Sequence, residues 1–148
     1  MRNFILFCNI NSITGGLKMT VEVYSKSKQG KQKLSANFLV REFACKDKSD
    51  VVFVSPELVQ VLQSIRDHFG KTVKINSAYR TPPYNKKVKG TIYSQHQYGT
   101  AADIKVTGVK PNEVAAFANT LMPNKGGIGI YENFTHIDVR ETKARWNG

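Results

Sequence analysis

Leu58, Val61, Leu62, Ile65 and Phe69 recur at three- and four-residue steps, the spacing that puts side chains on one face of a helix. Ser55 supplies an N-cap, Pro56 suits the first turn and Gly70 suits a stop. The pattern therefore predicts a helix over 56–69. Residues 72–76 alternate apolar and polar, which predicts a strand with one buried face. Pro82-Pro83 ends any sheet pairing, and 85–88 reads as a helical turn. A second strand is predicted over 101–106, centred on Ile104 and Val106. A second helix follows over 111–122, with Val114, Ala115, Ala118 and Leu121 inward, and it ends at Pro123 and Gly126-Gly127. Two β-like runs, 128–131 and 134–139, flank Glu132-Asn133, a hairpin signal.

The N-terminal part is less regular. Val21 and Val23 suggest an edge strand or extended arm, followed by a lysine-rich loop to residue 33. Phe38, Leu39, Val40, Phe43 and Ala44 form an apolar cluster expected to pack on the domain. Residues 1–18 read differently again. Arg2 and a run from Phe4 to Cys8 are interrupted by Asn9 and Asn11, too early for a secretory signal. Met19 looks like a natural start, so 1–18 is expected to be a disordered extension and 19–148 the domain. No apolar run approaches the roughly 18 residues of a membrane span. The element order implies a small single α+β domain, with helices packed on a mainly antiparallel sheet.

Composition narrows the partners. The 148 residues contain 41% hydrophobic positions, enough for one packed core. The formal net charge is +11, which attracts polyanions. An anionic cell-wall surface and nucleic acid satisfy that equally, but no nucleic-acid-reading motif is present. Cys8 and Cys45 build no disulfide framework and are expected to be free thiols.

Three residues carry candidate chemistry: His96, Asp103 and His136. A catalytic zinc site commonly uses three protein ligands, and imidazole and carboxylate are suitable donors. Gly99 lets the backbone turn between the first two. From spacing alone, a surface pair or a hydrogen-bonded core residue accounts for them better. Tyr98, Tyr131 and Trp146 are candidates to line a cleft, with Tyr98 as a substrate-binding residue, although aromatics beside apolar strands are more often core. Lys86, Lys87 and Lys89 form a basic run before His96. His68, near the end of its helix, reads as a surface or capping residue.

The wider pattern resembles the M15 family of zinc D-Ala-D-Ala carboxypeptidases and related peptidoglycan peptidases, over roughly residues 34–146. It is carried by Glu42-Phe43-Ala44-Cys45, by Ile75-Asn76-Ser77-Ala78-Tyr79-Arg80-Thr81-Pro82, and by Tyr84-Asn85. It continues through Ser94-x-His96-x-x-Gly99-x-Ala101-x-Asp103-Ile104, Gly126-Gly127-Ile128-Gly129-Ile130-Tyr131, His136-Ile137-Asp138 and Lys143-Ala144-Arg145-Trp146. The likeness is strongest to the short branch found in prophages and phages. It implies a hedgehog/D-Ala-D-Ala-peptidase-like fold, one zinc ion on His96, Asp103 and His136, Arg80 holding a substrate carboxylate, and Ser94 hydrogen-bonding substrate. Many relatives place a carboxylate base three residues before the last histidine, where this chain has Asn133. Asp138 is then the favoured base, or the group that steers water or a ligand, and Glu132 is the second candidate.

The implied activity is zinc-dependent hydrolysis of peptidoglycan stem peptides, either as a D-Ala-D-Ala carboxypeptidase or as an endolysin-like cross-link endopeptidase. The alternative is a non-catalytic zinc-containing wall-binding or assembly module. The expected setting is a monomer with no convincing signal peptide, made in the cytoplasm and reaching the wall by phage-type release or as a virion component.

Overall fold

The computed structural model describes residues 20–148; the extension read over 1–18 lies outside them, as does Cys8. Helix α2 spans Pro56–Phe69, as its apolar spacing predicts. Ser55 Oγ accepts from the Leu58 N–H at 3.5 Å, and Gly70 closes the helix with φ 60°. Leu58, Leu62 and Ile65 are fully buried. Ser55 is itself buried, so Ser55→Ala should cost about 1 kcal/mol, a typical cap loss, read from the midpoint of denaturant unfolding.

The chain runs through β1 (Glu22–Ser25), α1 (Lys26–Gln29), a 3₁₀ helix (Val40–Phe43), β2 (Val51–Val54) and α2. It continues through β3 (Val73–Ser77), α3 (Pro82–Lys87), a second 3₁₀ helix (Gln95–Tyr98), β4 (Ala101–Val106) and α4 (Pro111–Leu121). It ends with β5 (Gly127–Ile130), β6 (Thr135–Asp138) and β7 (Ala144–Asn147). β1 and β2 make a small antiparallel sheet, and the main sheet has the order β3-β4-β6-β5-β7. Every pairing in it is antiparallel except β5 with β7. The architecture is the α+β one expected.

One face of the main sheet is core. Ile104, Val106, Ile128 and Ile137 pack there with Leu58, Leu62 and Ile65 of α2 and Val114 and Ala118 of α4. Alternation sends their neighbours to the other face. The register Ser77↔Asp103↔His136↔Gly129↔Trp146 forms a single row across all five strands.

Several local expectations are corrected. The lysine-rich stretch after β1 is not all loop: Ser25 caps the short helix α1, and Asp50 oxygens accept from Ser25 Oγ and the Ser27 N–H, both at 2.6 Å. The turn read at 85–88 begins earlier, because Thr81 Oγ1 caps α3 and both prolines occupy its first turn. Residues 51–54 and 144–147 form strands that carry no alternating signature. Leu121 is 36% exposed, and Met122, 2% exposed, fills the place expected for it. His68 stacks on Phe117 with ring centroids 3.7 Å apart. Cys45 is a buried free thiol. Among the described residues no helix is long and apolar enough to cross a membrane.

Candidate metal centre

Asp103 and His136 are brought together by strand register: β4 and β6 are neighbours, and these two residues are direct partners on the open face. His96 arrives from the second 3₁₀ helix, which Gly99 ends in the left-handed region with φ 72°. One donor atom from each of the three lies within 4.8 Å of the others.

The hydrogen bonds assign the donor atoms. His96 Nδ1 lies 2.7 Å from the Ala78 carbonyl oxygen. A carbonyl only accepts, so Nδ1 carries the proton, and the Nε2 lone pair turns inward, 3.3 Å from Asp103 Oδ1. His136 Nδ1 lies 2.9 Å from the same Asp103 oxygen, while its Nε2 lies 2.9 Å from Asp138 Oδ2. The inward set is therefore His96 Nε2, His136 Nδ1 and an Asp103 oxygen. Each imidazole has its far nitrogen tied to an acceptor, the arrangement that fixes metal-binding histidines. Two imidazoles and one carboxylate fit a divalent ion such as zinc.

Asp138 is wholly buried. Its Oδ1 accepts from the Gly127 N–H at 3.0 Å, the Arg140 N–H at 3.1 Å and Arg140 Nε at 2.8 Å. Its Oδ2 accepts from Arg140 Nη2 at 2.6 Å and faces His136. A Cβ on Gly127 would lie 2.1 Å from Asp138 Oδ2, so only glycine leaves room for this carboxylate. Trp146 closes the row, with its ring 5.1 Å from that of His136, Arg140 5.6 Å from its centroid, and its Nε1 donating to Tyr131 Oη at 3.1 Å.

Arg80 stands on the opposite side. Its Nη2 donates to Asp103 Oδ2 at 2.8 Å and its Nε to Ser77 Oγ at 2.9 Å. Burial works against the charge on Asp103, but hydrogen bonds and charge from His136 and His96 outweigh it and hold its carboxyl well below the usual range. Burial likewise opposes, and His136 and Arg140 outweigh, at Asp138. His136 is raised above the ordinary imidazole value, because Asp103 and Asp138 overcome its desolvation.

The structure thus gathers His96, Asp103, His136, Asp138 and Arg80. Ser94 precedes the second 3₁₀ helix, and its hydroxyl makes no cap bond. Tyr98 is half-exposed in that helix. Glu132 is exposed on the β5–β6 turn, beyond the Ile130–Thr135 pair, roughly 10 Å from His136 by strand rise. Lys86, Lys87 and Lys89 are exposed and outside the cluster. Arg140 is the residue the sequence pattern does not single out. Its only signal is the two-residue step from Asp138, the same step that joins Asp138 to His136.

An α+β sheet presenting a His–Asp–His donor set on its open face is a candidate metallohydrolase. A sequence model of the family described as Peptidase M15 matches residues 33–138, and the chain belongs to that family. M15 peptidases are metallopeptidases, and membership supports peptidase activity with a peptide substrate. No curated protein matches the chain.

Proposed function

We propose that this chain is a zinc peptidase acting on the stem peptides of peptidoglycan. The observation that carries the reading is the convergence of His96, Asp103 and His136 within a chain matched by the M15 family. Those three residues would hold the ion, which supplies Lewis acidity and activates water near neutral pH. The Ala78 carbonyl and the Asp138–Arg140 pair keep both imidazoles in the metal-binding tautomer. Asp138, with both oxygens engaged, suits orienting His136 better than accepting a proton. Glu132 has no ion pair among the described residues and is the remaining carboxylate for proton exchange, a role that requires the turn to bring it from roughly 10 Å to within a water of the site. Arg80 uses Nε and Nη2 within the protein, which leaves Nη1 for a substrate carboxylate. The Ser94 hydroxyl makes no hydrogen bond among the described residues, and Tyr98, two residues after His96, has a half-exposed side chain. The charge of +11 favours approach to an anionic wall.

The test is mass spectrometry of defined muropeptides digested by zinc-loaded protein, with Glu132→Gln in parallel. The expected result is loss of a terminal D-alanine or cleavage of a cross-link, abolished by chelation and restored by zinc. No product from protein shown to carry zinc would reject the enzyme in favour of a wall-binding module, the reading that Asn133 supports by putting an amide where many relatives have a carboxylate. A Glu132→Gln rate equal to wild type would remove Glu132 from the mechanism.

A further inference from the structure

We propose that Lys74 and Lys105 form an anion subsite on the open sheet face, holding a substrate carboxylate one residue away from the bond that is cut. The inference rests on the peptidase reading above and names a feature of the substrate which that reading leaves open. Asp103 and Lys105 lie two residues apart on β4, so their side chains leave the same face. Ile104 and Val106 are buried at 1% and 5% against the helices, which fixes Lys105 on the side of the metal ligands. Lys74 is the direct register partner of Lys105 across the β3–β4 ladder, and its neighbour Val73 is buried in the same core. The two lysines are therefore the next row beyond Ser77–Asp103 on one continuous surface.

Like charges directly opposite each other on a sheet destabilise it, and lysine is a poor strand former. Neither lysine has an ion pair or hydrogen bond among the described residues to offset that. The acid of the adjacent row, Asp103, is already held by Arg80, His96 and His136. Lysine often protects an exposed sheet edge, and β3 is an edge strand. Lys105 lies on β4 one residue past the Ile104–Thr135 pair that ends the β4–β6 ladder, so its ladder partner is Lys74 alone. Two lysines set directly opposite each other exceed what edge protection asks, and an external anion offsets their repulsion.

The spacing suits an extended peptide. Two residues of strand put Lys105 about 6.6 Å from Asp103 along β4. One residue of extended substrate covers about 3.5 Å, and its side chain or α-carboxylate spans the remainder. Arg80 serves the level of the metal ligands, and the lysine pair serves the next. The β3 irregularity between Ile75 and Ser77 separates the two levels, and such bulges re-aim side chains beside active sites.

The experiment uses zinc-loaded protein and two peptides with the same scissile bond, in which the neighbouring acidic residue carries either a free carboxylate or its carboxamide. Wild type should favour the acid by about tenfold in kcat/KM through KM, the size of one charge-assisted hydrogen bond. The Lys74→Gln/Lys105→Gln double variant should bring that ratio to near one, and Lys74→Arg/Lys105→Arg should retain it. The ratio is measured within one protein, so partial unfolding does not move it. An unchanged ratio in the double glutamine variant overturns the subsite. If the wild type cleaves neither peptide, the peptidase reading fails, and titration with glutarate followed by amide chemical shifts decides the subsite alone. Shifts at Lys74 and Lys105 that vanish in the double variant uphold it, and no shifts overturn it.

Discussion

Replacing Asp138 by alanine is expected to cost the metal-free protein about 3–5 kcal/mol, the usual penalty for removing one partner of a buried ion pair. The same change should weaken metal binding by roughly 10–100-fold, as loss of a ligand's hydrogen-bonding partner does. The reason is how much converges on this carboxylate. Its removal leaves the Gly127 and Arg140 N–H groups and His136 Nε2 without their acceptor at a wholly buried position, and takes the ion-pair partner from an Arg140 side chain that is 31% exposed. Denaturant unfolding in chelator measures the first effect, and competition with a chromophoric chelator measures the second. The pH dependence has a definite sign. His136 and Arg140 hold the Asp138 carboxyl below its ordinary value despite burial. The stability it contributes is present above the unfolded pKa of about 4 and is lost as pH falls through the depressed folded value. The gap between wild type and Asp138→Ala should therefore narrow on acidification. Equal stability of the two proteins at neutral pH would refute the role.

What the sequence reveals here follows the distance over which each feature is determined. Helix α2 is legible because Ser55, Pro56, the apolar stripe and Gly70 all lie within one segment. β4 is legible because Ile104 and Val106 alternate with polar neighbours. β2 and β7 are not. Val51–Val54 is apolar throughout, and Ala144–Asn147 is held by parallel pairing with β5, a non-local contact. Leu121 fits the helical period yet is exposed, because α4 ends there and Met122 turns into the core instead. The donor set is a harder case. His96 and Asp103 are close in sequence, but His136 joins them only through the β4–β6 register, which no local period encodes. The motif resemblance supplied that link, and the register gives its physical cause. Arg140 stayed hidden because an arginine two residues past an aspartate acquires meaning only once the aspartate is known to be buried.

Gly99→Ala is the second change with a large expected effect. Gly99 has φ 72°, a region that costs an L-residue about 1–2 kcal/mol. Strain is only part of it. A Cβ there would lie 2.5 Å from the Phe53 carbonyl carbon and oxygen and 2.7 Å from Phe53 Cβ. Those atoms belong to β2, which is paired with β1 and followed by Ser55, whose N–H donates to the Gly99 carbonyl at 2.8 Å. Neither side can withdraw without breaking that bond or shifting the 3₁₀ helix that carries His96. Gly70→Ala isolates the conformational cost, because Gly70 has φ 60° and nothing within 4 Å of its would-be Cβ. Gly70→Ala should lose only that strain. Gly99→Ala should lose about 3 kcal/mol or more, strain plus overpacking, and should also bind metal more weakly as His96 is displaced from Asp103. Denaturant midpoints for the two variants, with metal affinity for each, separate the contributions. Equal losses for both would mean that β2 yields to the new methyl group and that Gly99 serves the turn alone.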